Sequence, residues 1–577
     1  MCGIWAYIGT ESHKKNDQEL WDRGVKAISA RGPEGARWLD VGRGKWCFTR
    51  LAINGLNESA MQPFNGVGAE AWMCNGEIYN SKMLEEECAF LPKTGSDCEV
   101  LGAVYEHCEY NPVRFARSLD GVFACMLWRK TVDGDEFIIA RDPYGVRPLF
   151  YTVLENSAER QSSASTHLPG QVCLEGGGYI FASERKAIEP FVNGGSIIEF
   201  PPGQVWTITL DRSTGITYTN KEIYHEVPWM KQTSNLSGSL LKEALESAVD
   251  KRLMTERPVA ALLSGGVDSS LIAALVQRRL KELGKPPLKT FSIGMAGGTD
   301  LKYARMVADH IGSDHHEIVV TADEMFDVIP QVIHDIESYD ITTVRASVGN
   351  WLVARAIKEQ TDCKVVFNGD GSDEVFGSYL YFYRAPNDFA FEEEVRRLLK
   401  GIHRYDVLRS DRCISSHGLE ARTPFLDRQF VAAAMAYPTW TRRPGGGTDR
   451  MEKQLLRDVF SSPGGEGREG KEGLLLPAEV LYRKKEAFSD GVSSQEKSWY
   501  EIIQDKIKER GLVPEGWAKV AYDQNMWPQP PTEEAFYYRS IFDKLYPHTG
   551  DLWNYWMPRW SPGVTDPSAR TLNKIGI

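Results

Sequence analysis

The stretch that most limits how this chain can fold runs from Val259 to Leu283. An apolar run, Val259 to Leu263, stops at Ser264-Gly265-Gly266, and Leu271-Ile272-Ala273-Ala274 then opens a helical pattern. The spacing predicts a buried parallel strand, a tight glycine turn and a helix from about Ser269. That layout brings free backbone N–H groups and the positive helix end to one point, which makes an anion site. Gly265 and Gly266 let the backbone come close to a ligand, and Ser264, Ser269 and Ser270 add hydroxyl donors. Asp268 is a carboxylate where a phosphate would sit, so it is expected to hold a metal that bridges to the phosphates. The same residues would also serve as plain caps of a strand-to-helix turn. The P-loop pattern G-x-x-x-x-G-K-[ST] is absent at this position.

Strand and helix patterns alternate around this stretch. Leu241, Leu245, Ala248, Val249 and Leu253 space as an amphipathic helix before it. After it come strand patterns at Leu288–Gly294, His316–Val320 and Lys364–Phe367, with a helix through Tyr303–Ile311. Alternation of this kind predicts βαβ units on a parallel sheet. Helical patterns dominate beyond about Val375. Upstream of about residue 210 the chain reads instead as short strands: Cys2–Ile8, Phe48–Ile53, Trp72–Cys74, Val122–Trp128, Phe137–Ala140 and Tyr179–Ala182. Glu155–Gly178 reads as a surface insertion, Lys231–Ser239 as a polar linker and Gly464–Gly473 as a mobile loop. Two domains are therefore expected, at residues 2–210 and 235–577.

The net charge of −12 argues against nucleic acid or an anionic membrane as partner. No apolar run is long enough to span a bilayer, and Met1–Gly9 lacks the pattern of a signal peptide. The ten cysteines form no C-x-x-C pair, so neither a zinc site nor a disulfide framework is indicated. A reduced, cytoplasmic setting is the expectation.

The second group of chemically informative residues starts at the N-terminus. Once Met1 is removed, Cys2 carries both a thiol nucleophile and its own base, the α-amine, whose ordinary pKa is near 7.7–8.0. Downstream stand Arg31-Gly32-Pro33, Arg50-Leu51-Ala52-Ile53-Asn54, Asn75-Gly76-Glu77-Ile78-Tyr79-Asn80, Ser96-Asp97-Cys98-Glu99 and Arg141-Asp142-Pro143-Tyr144-Gly145-Val146-Arg147-Pro148. In order, they resemble the class II glutamine amidotransferase domain, which implies a site for glutamine, a zwitterion with an amide. Arg50 can pair with its α-carboxylate in bidentate fashion, and Asp97 and the Glu77 region can hold its ammonium. The Asn75 side-chain amide and the Gly76 N–H can form an oxyanion hole. Asn-Gly is equally a strong signal for a β-hairpin turn, and such a turn could present those donors.

Ser264–Ser270 in turn resembles the loop of ATP pyrophosphatases, which adenylate an acid. Nearly the whole chain resembles the glutamine-hydrolysing asparagine synthetases, including Thr290–Ala304, Tyr339–Ser347, Gly369–Tyr379, His417–Asp427, Met451-Glu452-Lys453, Arg483–Gly491 and the Tyr555–Leu572 region. The resemblance implies a multidomain α/β chain. Its first part would be an αββα N-terminal-nucleophile hydrolase fold. Its second would be an adenine nucleotide alpha hydrolase-like parallel sheet with a helical C-terminal part. It implies synthesis of asparagine from aspartate and ATP, through a Cys2 thioester and a β-aspartyl adenylate, with ammonia channelled between the sites.

Position by position, the resemblance implies that Leu51, Ala52, Ile53 and Asn54 accompany Arg50, Asn75, Gly76, Glu77 and Asp97 around glutamine. Leu263, Ile293, Asn368 and Gly369 would contact the nucleotide beside Ser264, Gly265, Gly266, Asp268 and Ser269. Asp268 and Asp373 would bind Mg²⁺ with ATP, and Lys453 would neutralise the transferring phosphoryl charge. Thr342, Thr343 and Arg345 would hold aspartate and the adenylate. A homodimer is also implied. One departure stands out: Asp370 occupies the position of a glutamate proposed as the base for ammonia, and is one methylene shorter. Two other readings compete. One is a related adenylating amidotransferase with a different acid substrate; the other is a binding or storage homologue without turnover.

Overall fold

The computed structural model describes the chain apart from residues 10–17, 155–170, 176–177, 193–194, 213–215, 229–236, 446–448, 462–473, 484, 486–490, 494–496, 551, 565 and 568–577. Most of the expected insertion, linker and mobile loop, and parts of the 483–491 and 555–572 motifs, therefore lie outside the described residues. The described chain forms two compact units, Met1–Glu226 with Tyr546–Leu552, and Val227–Leu545 with Trp553–Ile577.

The first unit holds twelve strands in two six-stranded sheets. They are β1 Gly3–Gly9, β2 Ala36–Val41, β3 Gly44–Thr49, β4 Ala71–Ile78, β5 Gly121–Lys130, β6 Gly134–Arg141, β7 Phe150–Leu154, β8 Gln171–Glu175, β9 Gly178–Ala182, β10 Ile198–Glu199, β11 Gln204–Asp211 and β12 Ile216–Ile223. One sheet runs β10-β7-β9-β1-β3-β2 and the other β4-β5-β6-β11-β12-β8, with antiparallel pairing throughout. Strand alternation explains the layering. Ile4, Ala6 and Ile8 of β1 meet Ala71 and Met73 of β4 in a core between the sheets. Trp5 and Tyr7 point the other way, onto the helix Gln18–Ala27 through Trp21 and Val25. Trp72 and Cys74 likewise turn outward to the helices Leu101–His107 and Pro112–Ser118. The result is the four-layer αββα arrangement.

Two local expectations are corrected. The strand expected over Phe48–Ile53 ends at Thr49, because the chain turns aside there so that Leu51 can meet Cys2. Asn75-Gly76 is not a hairpin turn. Both residues sit inside β4, opposite Ala124 and Phe123.

The second unit is built on a parallel sheet of β13 Val259–Leu262, β14 Lys289–Gly294, β15 Asp314–Val319, β16 Val365–Phe367 and β17 Glu420–Arg422. Its order is β15-β14-β13-β16-β17. From β13 the chain moves outward through β14 to β15, and then crosses back to β16 and β17 on the other side. The switch point thus lies between β13 and β16, and ligands of open α/β sheets bind outside the strand ends at such a point. The loops 263–266 and 368–371 leave those two strand ends. Helices cover the sheet and make up most of the remainder.

Candidate active sites

In the first unit hydrogen bonds join the candidates into one constellation. Cys2 Sγ accepts from the Leu51 N–H at 3.4 Å and lies 3.5 Å from the Leu51 carbonyl. Arg31 donates to the Cys2 carbonyl at 2.9 Å and pairs with Glu184 at 2.9 Å. Arg50 gives two donors to the backbone of its own loop, the carbonyls of Gly55 and Asn57, so that loop fixes its guanidinium. Asn54 donates to Glu77 at 2.8 Å, which ties the same loop to the end of β4. Asp97 accepts from the Ile78 N–H at 2.7 Å, which brings the expected ammonium ligand to the same strand end. Ala52 is anchored by its N–H to Glu34 at 2.8 Å, and Ile53 is buried beside it.

Alternation decides which way Asn75 faces. It shares a face with Ala71 and Met73, the face against which Cys2 also packs. The Asn75 side chain is fully buried, and neither its nitrogen nor its oxygen has a hydrogen-bond partner among the described residues. Burying an amide unpaired costs about 1–3 kcal/mol, so this position favours a group that arrives later. Gly76 has φ +155°, and a Cβ there would lie 2.0 Å from the Val122 carbonyl oxygen. No other residue fits without moving β5.

The second site is a cleft of about 180 Å³ at the switch point of the parallel sheet. Its wall includes Leu263, Ser264, Gly266, Asp268 and Ser269 after β13, Ile293 of β14, Asn368, Gly369, Asp370 and Asp373 after β16, and Lys453. The helix Val267–Glu282, capped by Gly266, begins two residues earlier than its pattern suggests, and Asp268 lies in its first turn. Gly265 takes the left-handed conformation, φ +72°, and a Cβ there would lie 2.4 Å from Tyr303 Cβ and 2.6 Å from the Ala304 nitrogen. Ser264 Oγ and Ser269 Oγ are 3.0 Å apart and bracket the turn.

The two acidic candidates meet through one cation. Lys453 Nζ bonds to Asp268 and lies 2.6 Å from Asp373, while Ser372 Oγ donates to Asp268 at 2.8 Å. Lys485 adds a second cation on Asp373. Burial works against the charge of Lys453, but Asp268 and Asp373 outweigh it and raise its pKa. Burial would also raise Asp373, yet Lys453 and Lys485 hold it far below the usual carboxylate range. Lys453 itself is in the left-handed region, φ +59°, a conformation costing about 1–2 kcal/mol for a side chain with a Cβ. Strain of this kind concentrates at functional sites.

Asp370 stands on the same wall. Arg409 donates to its Oδ1 at 2.8 Å, and its Oδ2 is buried without a hydrogen-bond partner among the described residues. Burial raises its pKa, with Asp406 adding to the rise and Arg409 opposing it.

Thr342, Thr343 and Arg345 are not among the described residues that line the cleft. They open the helix Ile341–Gln360, where Asp340 caps them: it accepts from Thr342 Oγ1 at 2.6 Å, and from the N–H and Oγ1 of Thr343 at 2.9 and 2.8 Å. Arg345 is buried between Glu534 and Asp566. Asn350 and Val353, further along that helix, do reach the cleft. Sequence reasoning missed Ser292, Asp300, Asp406, Arg409 and Lys485. Ser292 and Asp300 fall within the 290–304 motif and Lys485 within 483–491, so a signal existed for them. Asp406 and Arg409 lie between motifs and carried none.

Residues 1–199 match the glutamine amidotransferase domain model, and residues 240–395 and 387–560 match the asparagine synthase model. The asparagine synthetase [glutamine-hydrolyzing] of Gallus gallus is 38% identical over 599 aligned positions, covering 99% of this chain and 98% of the relative. Those of Bos taurus and Homo sapiens are 38% and 36% identical over the same shares. With both domain models matched in order and full-length relatives above 30% identity, this chain belongs to the glutamine-hydrolysing asparagine synthetase family.

Proposed function

We propose the following division of labour for the family's reaction, ATP-dependent synthesis of asparagine from aspartate with glutamine as nitrogen donor. Residues 2–210 act as the glutaminase and residues 235–577 as the synthetase. Removal of Met1 frees the Cys2 amine, which takes the thiol proton as the sulfur attacks the glutamine amide. Asn75 and the Gly76 N–H stabilise the oxyanion, while Arg50 and Asp97 hold the two charged ends of glutamine. Ammonia leaves, and water hydrolyses the thioester to glutamate.

In the cleft, ATP lies along the Leu263–Ser269 turn, Ile293 and Asn368-Gly369. Two carboxylates with neighbouring hydroxyls form a hard-oxygen donor set, which suits Mg²⁺ held by one or two carboxylates and substrate phosphates. Asp268 and Asp373 would hold it, and it would neutralise charge on the departing pyrophosphate. Lys453 is already paired to both carboxylates and would neutralise charge on the phosphates held beside them. The aspartate carboxylate attacks the α-phosphorus, pyrophosphate leaves and the acyl adenylate forms. Ammonia then attacks the acyl carbon, AMP leaves with the bonding pair, and Asp370 Oδ2 takes the proton released from nitrogen. For Thr342, Thr343 and Arg345 to contact aspartate, they must exchange their present partners Asp340, Glu534 and Asp566. We further assign a cytoplasmic homodimer.

The observation that carries this reading is the pairing of Lys453 with Asp268 and Asp373 beside the glycine turn. The test is pyrophosphate release from ATP and glutamine with and without aspartate. Aspartate-independent release would remove aspartate as the acid, and absence of any turnover would favour a binding protein.

A further inference from the structure

Arg409 and Asp406 belong to no motif, yet they organise a cleft carboxylate that has one buried oxygen without a hydrogen-bond partner among the described residues. Asp370 is anchored by Arg409 and by a side-chain hydrogen bond from Ser410. Arg409 Nη2 holds Oδ1 at 2.8 Å, and Oδ2 is buried with no partner among the described residues. Arg409 is buried and is itself braced by Asp406, one turn earlier on the helix Asp406–Ser415, at 3.5 Å. Asp406 in turn accepts from the Tyr379 hydroxyl at 3.1 Å. The charged groups facing Asp370 are thus Arg409 and Asp406, both from that helix, with Tyr379 behind Asp406. So short a side chain has two torsions, about Cα–Cβ and Cβ–Cγ, and a bond to Oδ1 restrains both.

We propose that Arg409, braced by Asp406, is the positioning residue that aims Asp370 Oδ2 into the cleft. This rests on the reading of Asp370 as the proton acceptor in amide formation. A group that accepts a proton from an attacking nitrogen must hold its lone pair within hydrogen-bond reach of it. An aspartate reaches less far than a glutamate, so its direction must be fixed by a neighbour. Arg409 also keeps a cation beside Asp370, which favours the ionised form that can take the proton.

The test uses the full-length protein and the variants Arg409→Gln, Arg409→Lys, Asp406→Asn and Asp370→Asn. Two rates are measured on each: aspartate-dependent ATP–pyrophosphate exchange, which reports adenylation and the integrity of the fold, and ammonia-dependent asparagine formation. A misplacement of about 1 Å costs on the order of 10² in rate, so Arg409→Gln is expected to lower kcat for asparagine formation about 10²-fold while exchange stays within a few-fold. Arg409→Lys keeps the charge and should recover part of the loss. Its acid limb, plotted against free ammonia, should lie closer to that of the parent than the limb of Arg409→Gln does. Asp406→Asn should fall between. The proposal is overturned if exchange and asparagine formation fall together in both Arg409 variants, or if neither falls. It is also overturned if KM for aspartate rises with kcat intact, which would make Arg409 a substrate ligand. If Asp370→Asn itself forms asparagine at the parent rate, the base assignment fails and the clamp with it; loss in Asp370→Asn without loss in Arg409→Gln overturns the clamp alone.

Discussion

Asn75→Ala separates stability from catalysis more cleanly than other changes in this protein. The Asn75 amide is fully buried and unpaired among the described residues, so the folded chain carries an unmet polar cost of about 1–3 kcal/mol. Alanine removes that cost. It also opens a cavity where three heavy atoms stood, and at about 24 cal/mol per Å³ a cavity of roughly 40 Å³ costs about 1 kcal/mol. The two effects oppose each other at similar size, so the urea midpoint should stay near that of the parent or rise. The oxyanion donor disappears at the same time. Losing one such donor costs about 10²–10³ in kcat, or about 2.7–4 kcal/mol of transition-state stabilisation. Because that interaction forms only in the transition state, KM for glutamine should change little. The assay is glutamate release from glutamine, with ammonia-dependent asparagine formation as the internal control. A fall of less than about tenfold in glutaminase kcat would refute the oxyanion assignment. A marked drop in the urea midpoint would refute the reading of Asn75 as a group kept unpaired for the substrate.

Cys2→Ala should abolish glutamine-dependent synthesis and spare synthesis from ammonia; equal loss of both, measured as asparagine formed, would undo the assignment of two sites. Lys453→Met should abolish ATP–pyrophosphate exchange while glutaminase activity persists. It should also destabilise the protein, by less than the ~3–5 kcal/mol of a fully buried pair, because Asp268 loses its cation while Asp373 keeps Lys485 and both carboxylates are partly exposed; chemical denaturation reads the second effect. His315 donates to or accepts from Thr290 and Ser292 at 2.9 and 3.1 Å, and burial pushes its pKa down from 6.5 to about 4. Its neutral form is favoured in the folded state, so between those values the unfolded chain binds more protons and stability falls as pH drops. His315→Asn should flatten that part of the stability curve, and an unchanged slope would show that other groups set it.

Much of the fold could be read from the sequence because two periodicities are local properties. The alternation in Gly3–Gly9 places Trp5 and Tyr7 opposite Ile4 and Ala6, and the shift to strand-helix alternation after Leu241 marks the parallel sheet. The catalytic motifs Cys2, Asn75-Gly76, Ser264–Ser270 and Asp370–Glu374 were legible for the same reason, since each is contiguous. Local pattern failed at Phe48–Ile53, whose last residues leave the strand to reach Cys2, and at Asn75-Gly76. There, turn propensity gave way to pairing with β5 and to the close approach of the Val122 carbonyl.

The sequence by itself determined the architecture and marked the candidate nucleophile, the candidate nucleotide turn and the acid on the neighbouring loop. Tertiary structure alone decided which partners these groups keep. Asp406 and Arg409 lie more than thirty residues from Asp370 with no motif around them, and Lys453 is 185 residues from Asp268. Contacts between separated segments follow from how the sheet orders its strands and how helices pack beside the strand ends. The same packing sets Thr342, Thr343 and Arg345 against Asp340, Glu534 and Asp566 and leaves Asp370 with one held oxygen and one open one. Residue types fix which chemistry is available. Only the packed chain fixes the burial and the neighbouring charges that determine whether a carboxyl group carries its proton.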